Sequence, residues 1–369
     1  GMIVFNDGGG PPVPMGLTVT SIRAVMIGLS HGLELAALIA DDDTATATIH
    51  PDTTLLINPE YEDVMAGFSS RGPTYFDLLK PDYAAPGVNI LAAVAAQSGE
   101  PEQYGFYYGT SMAAPHSAGA AALLMSLYNE AELSLTPVQI RSALATTADP
   151  DALLDSDDVS PADVFDMGSG RLDLTLASKA GLVMDETYAD FVAANPLTGG
   201  QPKDLNLPYM VSYDCIGTCT WTRSFTSIYK EITDWEIVLP TDVPFTVNDA
   251  DLQFTLTQGN PNITLTFTAD VTGIPLDTLI VTEVLLVPEV GTPTRLPVVI
   301  VVSALPPVIA VDPVALESNQ LADDLVDQTL TISNLGVRDL DWELYDDNIQ
   351  NFTLAADLWS DNFDSYPLG

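Results

Sequence analysis

An almost purely apolar run from Ala113 to Tyr128 restricts the fold of this chain more than any other feature of its sequence. Spanning a bilayer takes about 20 apolar residues. The run is shorter than that and contains Pro115 and His116, so we do not expect it to cross a membrane. A helix that is apolar on every side is normally covered by other layers of its domain. The run therefore predicts a buried helix in a layered domain.

A serine and a histidine lie close together at the start of this run, in the segment FYYGTSMAAPHSAG. Five residues advance a helix by about 500°, so the side chains of Ser111 and His116 should point roughly 140° apart. His116 is therefore expected to be a packed histidine and not the base for this serine. Ser111 follows a Gly109-Thr110 turn, where free N–H groups and the positive end of the helix dipole could stabilise an oxyanion. Spacing alone leaves two interpretations open, a catalytic nucleophile and a plain N-cap.

The charge balance excludes several kinds of partner. The chain has 11 Lys and Arg against 51 Asp and Glu, for a formal net charge of −40. A surface this acidic repels nucleic acid and anionic membranes, so we expect neither as a partner. Self-repulsion is screened at high salt, which favours a secreted protein from a saline habitat. The length of 369 residues indicates two to four domains.

Two cysteines, Cys215 and Cys219, lie in the segment DCIGTCTW. They are too few for a zinc site made of cysteine alone. Their spacing allows a small-loop disulfide if the segment turns tightly, and buried free thiols are the alternative. No basic, apolar leader opens the chain, and both ends have the character of interior segments, so we expect a piece of a longer protein.

The first 50 residues have a mixed α/β pattern. MIVF and AVMIG are predicted strands, and TATATI (44–49) alternates as a strand does. HGLELAALIADDD is a predicted helix whose apolar residues share one face: Leu33, Ala36, Ala37 and Ala40.

Further along, local signals predict helices first and strands later. Thr136 is a predicted N-cap with Pro137 at the first helical position. Arg71 in SSRGP is expected to fix a turn through backbone carbonyls. From about residue 185 helices are expected to end, and segments such as LQFTLTQGNPNITLTFTADV alternate as sandwich strands do. Residues 305–313 are a predicted linker to a further β module.

Around Ser111 the sequence resembles the subtilisin-like serine proteases, or subtilases. The segment GTSMAAPHSAG matches the block around that family's nucleophile almost letter for letter. GFSSRGPT and LKPDYAAPGVNILAA resemble family segments that precede this block, and TPVQIRSALATTAD and GSGRLDL resemble segments that follow it. The resemblance covers about residues 55–182, in the family's order.

This resemblance implies an α/β subtilisin-like fold on a parallel sheet, which would be incomplete here. It implies a Ser-His-Asp mechanism acting on polypeptide substrates, with Ser111 as the nucleophile. The Thr110 hydroxyl would then lie by the oxyanion site, and oxidation of Met112 beside the nucleophile should slow the complete enzyme.

Calcium is the one cofactor that the resemblance makes possible. No D-x-D-x-D-G loop occurs in the sequence, however, and no metal ligands are assigned. The acidic segments DDDTATA, DSDD and DADLQ are predicted to be solvated turns.

The flanking segments also resemble parts of subtilases, which implies four domain assignments. Residues 1–50 resemble the C-terminal part of a protease-associated domain, and residues 51–182 resemble the C-terminal half of the catalytic domain. Residues 183–305 resemble the fibronectin type III-like sandwich that often follows it. Residues 306–369 are assigned to a linker and the start of a further Ig-like β module.

Parts of the family's catalytic machinery have no counterpart in this sequence. The family order is Asp, His, Ser, and the Asp block, the His block and the oxyanion Asn belong upstream of the protease-associated domain. None of the three histidines, His31, His50 and His116, lies in the family's histidine motif. Neither Asn58 nor Asn89 lies in its asparagine motif. The missing N-terminal half of the same chain is therefore an expected partner.

Two other interpretations stay open. In one, the chain is a non-catalytic extracellular adhesion or binding protein built on a subtilase-like scaffold. In the other it is a structural spacer, in which Ser111 only caps a helix.

We predict that this chain alone has essentially no amidase activity, because a serine hydroxyl without a base is a poor nucleophile at neutral pH. Hydrolysis of a fluorogenic peptide by the purified chain, compared with its Ser111→Ala variant, measures this. Cleavage that disappears in the Ser111→Ala variant would contradict the prediction.

Overall fold

The structure is a computed structural model that describes residues 2–5, 24–42, 44–48, 62–95, 101, 103–157, 159–248, 252–304, 308–316, 327–335 and 340–342. The predictions for His50, Asn58 and residues 305–307 lie outside these ranges, as does most of the last predicted module. Within the ranges, no helix combines the length and the apolar character that crossing a membrane requires.

The first described segment is a small parallel βα unit. Strand β1 (Met2–Phe5) pairs in parallel with β2 (Ala24–Ile27), and helix α1 (Leu29–Asp41) follows. The predictions of these two strands and of this helix are confirmed. The helix packs on β1 through Gly32, where a Cβ would lie 2.2 Å from the ring of Phe5. The four residues predicted to share an apolar face are all exposed: Leu33, Ala36, Ala37 and Ala40.

The strand predicted over residues 44–49 is wrong for residues 44–48, where the chain turns. The backbone N–H of Thr44 donates to Oδ1 of Asp42 at 2.9 Å, and the Thr44 hydroxyl donates to the same oxygen at 2.6 Å. An aspartate that bonds two residues ahead in this way stabilises a local turn. Residues 44–48 are exposed and pair with no described strand.

The region from residue 62 to residue 182 contains one hairpin and four helices in its described part. The hairpin pairs β3 (Ile90–Val94) with β4 (Gln103–Tyr107) in antiparallel fashion. The helices are α2 (Thr110–Glu130), α3 (Pro137–Thr146), α4 (Val164–Met167) and α5 (Leu174–Ala177). The resemblance implied a parallel sheet here, but the described residues between 62 and 181 form only this antiparallel pair and isolated bridges.

Helix α3 begins where its sequence predicts. The Thr136 hydroxyl accepts a hydrogen bond from the Gln139 N–H at 3.1 Å, and the Gln139 side chain accepts one from the Thr136 N–H at 2.9 Å. Together they form a capping box. The residues that α3 buries include three predicted ones: Ile140, Ala143 and Leu144.

Helix α2 is buried along one narrow stripe. Its buried residues recur at every fourth position: Ala120, Leu124 and Tyr128. Its large apolar residues between and beside them are 62%, 45% and 41% exposed: Leu123, Met125 and Leu127, respectively. The prediction of a helix buried on every side is therefore wrong for the described residues, because the described elements cover one side of it only.

Short helices follow, and the prediction that helices end near residue 185 is wrong. Helix α6 (Tyr188–Ala193) precedes single 3-10 turns at Pro196–Thr198 and Pro202–Asp204. Thr187 precedes α6, and Asn195 precedes the first of these 3-10 turns. The side chain of each accepts a hydrogen bond from a backbone N–H of the helical turn that follows. Such caps hold short helices in a segment that has little apolar periodicity.

The alternating segments form strands of two sheets. The strands are β5 (Leu182–Val183), β6 (Met210–Cys215), β7 (Thr218–Ser227), β8 (Thr233–Val238), β9 (Phe245–Val247), β10 (Gln253–Leu256), β11 (Asn262–Asp270), β12 (Leu279–Pro288) and β13 (Thr294–Val302). One sheet has the order β10-β8-β12-β13-β6 and the other has the order β5-β7-β11-β9. A separate hairpin joins β14 (Ile309–Asp312) and β15 (Thr331–Asn334).

The two sheets share one hydrophobic core. Leu265 and Phe267 of β11 face Val284 and Leu286 of β12 in this core, and all four are almost fully buried. We call residues 182–304 the two-sheet domain. Its identification as fibronectin type III-like stays a prediction.

Cys215 and Cys219 are joined by a disulfide at the turn between β6 and β7, with their Cα atoms 5.6 Å apart. Both cysteines are buried in the core of the two-sheet domain. The sequence left a disulfide and free thiols as alternatives, and the structure contains the disulfide.

Arg223 of β7 is buried and forms no ion pair within the described residues. Its guanidinium donates to the carbonyl of Tyr209 at 2.8 and 3.0 Å, to that of Thr222 at 2.8 Å and to that of Lys203 at 3.2 Å. Burial lowers the pKa of Arg223 to about 10, so the group stays charged at neutral pH. The arginine thus ties the segment before β6 to β7.

We predict that Arg223→Met destabilises the two-sheet domain by about 3 kcal/mol, because several buried carbonyls lose their donor. Urea unfolding followed by the fluorescence of the buried Trp221 and Trp235 measures the change. Arg295→Met is the matched control: its half-exposed ion pair with Glu283 should contribute less than about 1 kcal/mol. Equal effects of the two substitutions would contradict the prediction.

Candidate active site

A glycine turn starts helix α2 and determines the direction of its first N–H groups. Gly109 has φ 142° and ψ 162°, a conformation that essentially only glycine adopts. Its N–H donates to the carbonyl of Gly87 at 2.8 Å, and its carbonyl accepts from Met112 N–H at 2.9 Å. The N–H groups of Thr110 and Ser111 precede the first bonded turn, so they have no acceptor within the helix.

The loop before β3 must come close to this turn. A Cβ added at Gly87 would lie 2.9 Å from the carbonyl oxygen of Gly109 and 3.5 Å from the Cβ of Ala113. The glycine in AAPGVN therefore permits the contact between two backbones that supports the start of α2.

Ser111 is the second residue of α2, and its side chain is exposed. Within the described part of the chain, its hydroxyl takes part in no hydrogen bond, so it does not cap the helix. The cap position belongs to Gly109, which has no side chain to bond with. Of the two interpretations that spacing left open, the plain N-cap is wrong.

Thr110 and Met112 flank this serine differently. The side chain of Thr110 is exposed like that of Ser111. Met112 is half-buried, and its sulfur would lie 3.9 Å from a Cβ built on Gly109. The thioether sulfur of Met112 therefore lies close to the Gly109 turn. An oxygen added to the sulfur by oxidation would crowd the first turn of α2.

His116 is exposed, so the prediction of a packed histidine is wrong. Its Nδ1–H donates to the carbonyl oxygen of Met112, one helical turn back, at 2.8 Å. This hydrogen bond is the one that the side chain of His116 forms within the described residues, and it joins the ring to its own helix and not to Ser111. His31, the other described histidine, lies on the exposed side of α1. Neither of the two described histidines forms a hydrogen bond with Ser111, and the absence of a catalytic base from the chain stays a prediction.

An aromatic segment precedes the serine in the chain and was not predicted as part of the site. Tyr104, Phe106, Tyr107 and Tyr108 immediately precede α2, and all are exposed. The ring centroids of Phe68 and Tyr108 are 5.7 Å apart. The signal was present in the letters YGFYYGTS. Such rings can contact the apolar side chains of a bound polypeptide.

Arg71 does not bond to backbone carbonyls as predicted but forms ion pairs with carboxylates. Its guanidinium donates to Asp155 Oδ1 at 2.6 Å, to Ser156 Oγ at 3.0 Å and to Asp166. The hydrogen bond from Arg71 lowers the pKa of Asp155, whereas burial raises the pKa of Asp166. Asp155 is therefore not the freely solvated acid that was predicted for DSDD.

A second arginine repeats this arrangement nearby. Arg171 pairs with Asp63 and lies 3.7 Å from a carboxylate oxygen of Asp149. The two arginines join the loop of residues 63–72 to residues 149–171 around the start of α4. No three His, Cys, Asp or Glu side chains of the described ranges come together as a metal site would require.

Comparison with known proteins shows what this part of the chain is similar to. Residues 16–173 match the model of the subtilase family, a range that includes Thr110, Ser111 and Met112. The chain is 34% identical over 288 residues to the subtilisin-like protease SBT1.7 of Arabidopsis thaliana, covering 68% of this chain and 37% of that protein. It is 39% identical over 184 residues to the subtilisin-like protease SBT3 of Solanum lycopersicum, covering 46% of this chain and 24% of that protein.

The chain therefore spans well under half the length of these two relatives. Among solved structures, the cupredoxin domain of amoB from Nitrosocaldus yellowstonii matches 37% of this chain and 73% of its own, with 14% identity and a TM-score of 0.20. An overlap this slight says nothing about function. The domain boundaries assigned from the sequence stay predictions.

We predict that Gly109→Ala destabilises the chain by about 1–3 kcal/mol, because alanine is strained at this φ and ψ. Gly119→Ala, on an open part of the same helix with nothing within 4 Å of the new Cβ, is the matched control. It should stabilise by about 1 kcal/mol through helix propensity. Urea unfolding of both variants measures this, and a Gly109→Ala protein as stable as wild type would overturn it.

Proposed function

We propose that this chain is the nucleophile-bearing part of a secreted subtilisin-like serine endopeptidase. The match of residues 16–173 to the subtilase family model supports the proposal. The observation that carries the proposal is the position of Ser111. Its hydroxyl is exposed and unbonded within the described residues, beside N–H groups that the helix itself does not use. A plain structural serine at a helix start would accept a hydrogen bond from those groups.

The proposed reaction begins when the Ser111 oxygen attacks the carbonyl carbon of a polypeptide. A histidine from an N-terminal part of the protein takes the serine proton, and an aspartate from the same part orients that histidine. The carbonyl oxygen becomes an oxyanion, and the N–H of Ser111, the dipole of α2 and the nearby Thr110 hydroxyl stabilise it. The histidine then returns the proton to the leaving amine, and water hydrolyses the acyl-enzyme in the reverse sequence.

The uncovered side of α2 supports a second part of the proposal, that the N-terminal half of the same domain packs there. Leu123 of α2 is 62% exposed and Leu91 of β3 is 58% exposed. In a soluble protein, a surface with several large apolar side chains exposed to this extent is normally covered. We infer that a chain lacking this half exposes a surface prone to aggregation.

We also propose that the protein is secreted and that it has the domains assigned from its sequence. A disulfide persists in oxidising compartments, which fits export. The two-sheet domain fits the predicted fibronectin type III-like sandwich, and the βα unit of residues 2–42 fits part of a protease-associated domain. No step of the reaction is assigned to calcium.

A fluorophosphonate probe, which reacts only with an activated serine, tests the function. In the intact protein we expect the probe to label Ser111, and Ser111→Ala to abolish the label. Ser117→Ala, a serine on the same helix that bonds back to the Ala113 carbonyl, is the matched control and should keep the label. A folded intact protein that stays unlabelled would favour the non-catalytic adhesion protein instead.

A further inference from the structure

We propose that the two-sheet domain positions the nucleophile turn, and that Asp77 is the positioning residue that connects the two. The connection runs through residues 77–87. This segment begins against the edge of the five-stranded sheet, at Asp77, and its last residue, Gly87, contacts the turn that starts α2. The consequence for reactivity rests on the function proposed above, whereas the structural coupling does not.

The first contact closes the edge of a sheet. β6 is the last strand of its sheet, so N–H groups on its outer side have no neighbouring strand. Oδ1 of Asp77 accepts the N–H of Tyr213 in β6 at 2.8 Å. The Tyr213 hydroxyl donates back to the carbonyl of Leu78 at 3.3 Å. Two reciprocal bonds thus hold residues 77–78 on the edge strand.

The second contact is apolar. Leu79 is fully buried, and it packs in one cluster with Val211 of β6 and Val299 of β13. Both valines lie on the side of the five-stranded sheet that faces away from the core of the two-sheet domain. The two-sheet domain therefore holds three consecutive residues, 77–79, by two hydrogen bonds and one buried side chain.

The next residues are tied along their backbone to the loop at the end of α4. The carbonyl of Asp82 accepts the N–H of Ser169 at 3.0 Å. Ala84 donates to the carbonyl of Gly170 at 2.8 Å and accepts from the N–H of Leu172 at 2.8 Å. Because the backbone of residues 77–87 is held at several points, we expect this segment to move as a unit. A displacement of residue 77 should therefore also displace Gly87.

Gly87 then holds the nucleophile turn itself. Its carbonyl accepts the N–H of Gly109, two residues before Ser111. The two-sheet domain also reaches α2 directly, because Ile228 packs in one cluster with Ala120 and Leu124 of that helix. The helix is thus supported at its first turn through residues 77–87 and at its middle by Ile228.

The surroundings of Asp77 agree with a positioning role. Burial raises the pKa of Asp77, and the hydrogen bond from the Tyr213 N–H opposes this effect; the neighbouring carboxylates Asp214 and Asp204 also raise the pKa, whereas Lys203 lowers it. Asp77 is half-buried, and a partly desolvated carboxylate in a chain of this net charge is unfavourable, so an exposed position would suit the fold better unless the bond to Tyr213 is needed.

Hydrogen exchange on the intact protein tests the coupling without needing activity. In Asp77→Ala we expect the Gly109 N–H to exchange about tenfold faster than in wild type, as local opening of the turn becomes easier. Asp77→Asn should restore slow exchange, because its amide oxygen still accepts the Tyr213 N–H. Asp214→Ala removes an exposed carboxylate nearby and should change nothing at Gly109.

The outcomes separate the two proposals. Faster exchange at Tyr213 with unchanged exchange at Gly109 would overturn the positioning role. If the wild-type protein is not labelled by the fluorophosphonate but exchange at Gly109 responds, only the proposed function fails. If both hold, Asp77→Ala should slow labelling of Ser111 several-fold. If Asp77→Ala does not fold, Tyr213→Phe replaces it, because this variant removes only the hydrogen bond to the Leu78 carbonyl. The Gly109 N–H should then exchange faster than in wild type, by a smaller factor than expected for Asp77→Ala. An unchanged exchange rate at Gly109 would overturn the proposal.

Discussion

The candidate site depends on a single close approach between two stretches of backbone, at Gly87 and Gly109. Both positions need glycine, one for space and the other for its dihedral angles. The hydrogen bond between them sets where α2 begins, and the start of α2 sets which N–H groups are left without a partner. That turn therefore places the exposed hydroxyl of Ser111 at the positive end of the α2 dipole.

Features set by neighbours in sequence could be predicted, and features set by distant residues could not. The cap at Thr136 and helix α1 depend on residues a few positions apart, and both were predicted. The partners of Arg71 lie 84 and 95 residues further along the chain, so nothing near SSRGP indicates them. The same holds for the contact of Asp77 with Tyr213, 136 residues away.

The errors over α2 have a different origin. Its composition correctly indicates a helix that favours an apolar environment on all sides. The composition of α2 indicates which surroundings its surface favours, but the surroundings themselves are set by the elements that pack on it. The described elements cover only the stripe of α2 that contains Leu124. For Ser111, periodicity could place the residue at a helix start, but excluding it as the cap required the geometry of Gly109.

The few cations of this chain are largely committed to holding it together. Arg71 and Arg171 bind carboxylates across the loops near α4, and Arg223 is enclosed in the two-sheet domain. The chain has only 11 lysines and arginines in 369 residues. Enzymes that cut after basic residues therefore find few cleavage points in it, and several of those are held inside folded structure. The scarcity of lysine and arginine therefore limits how many fragments trypsin-like digestion can release from this chain.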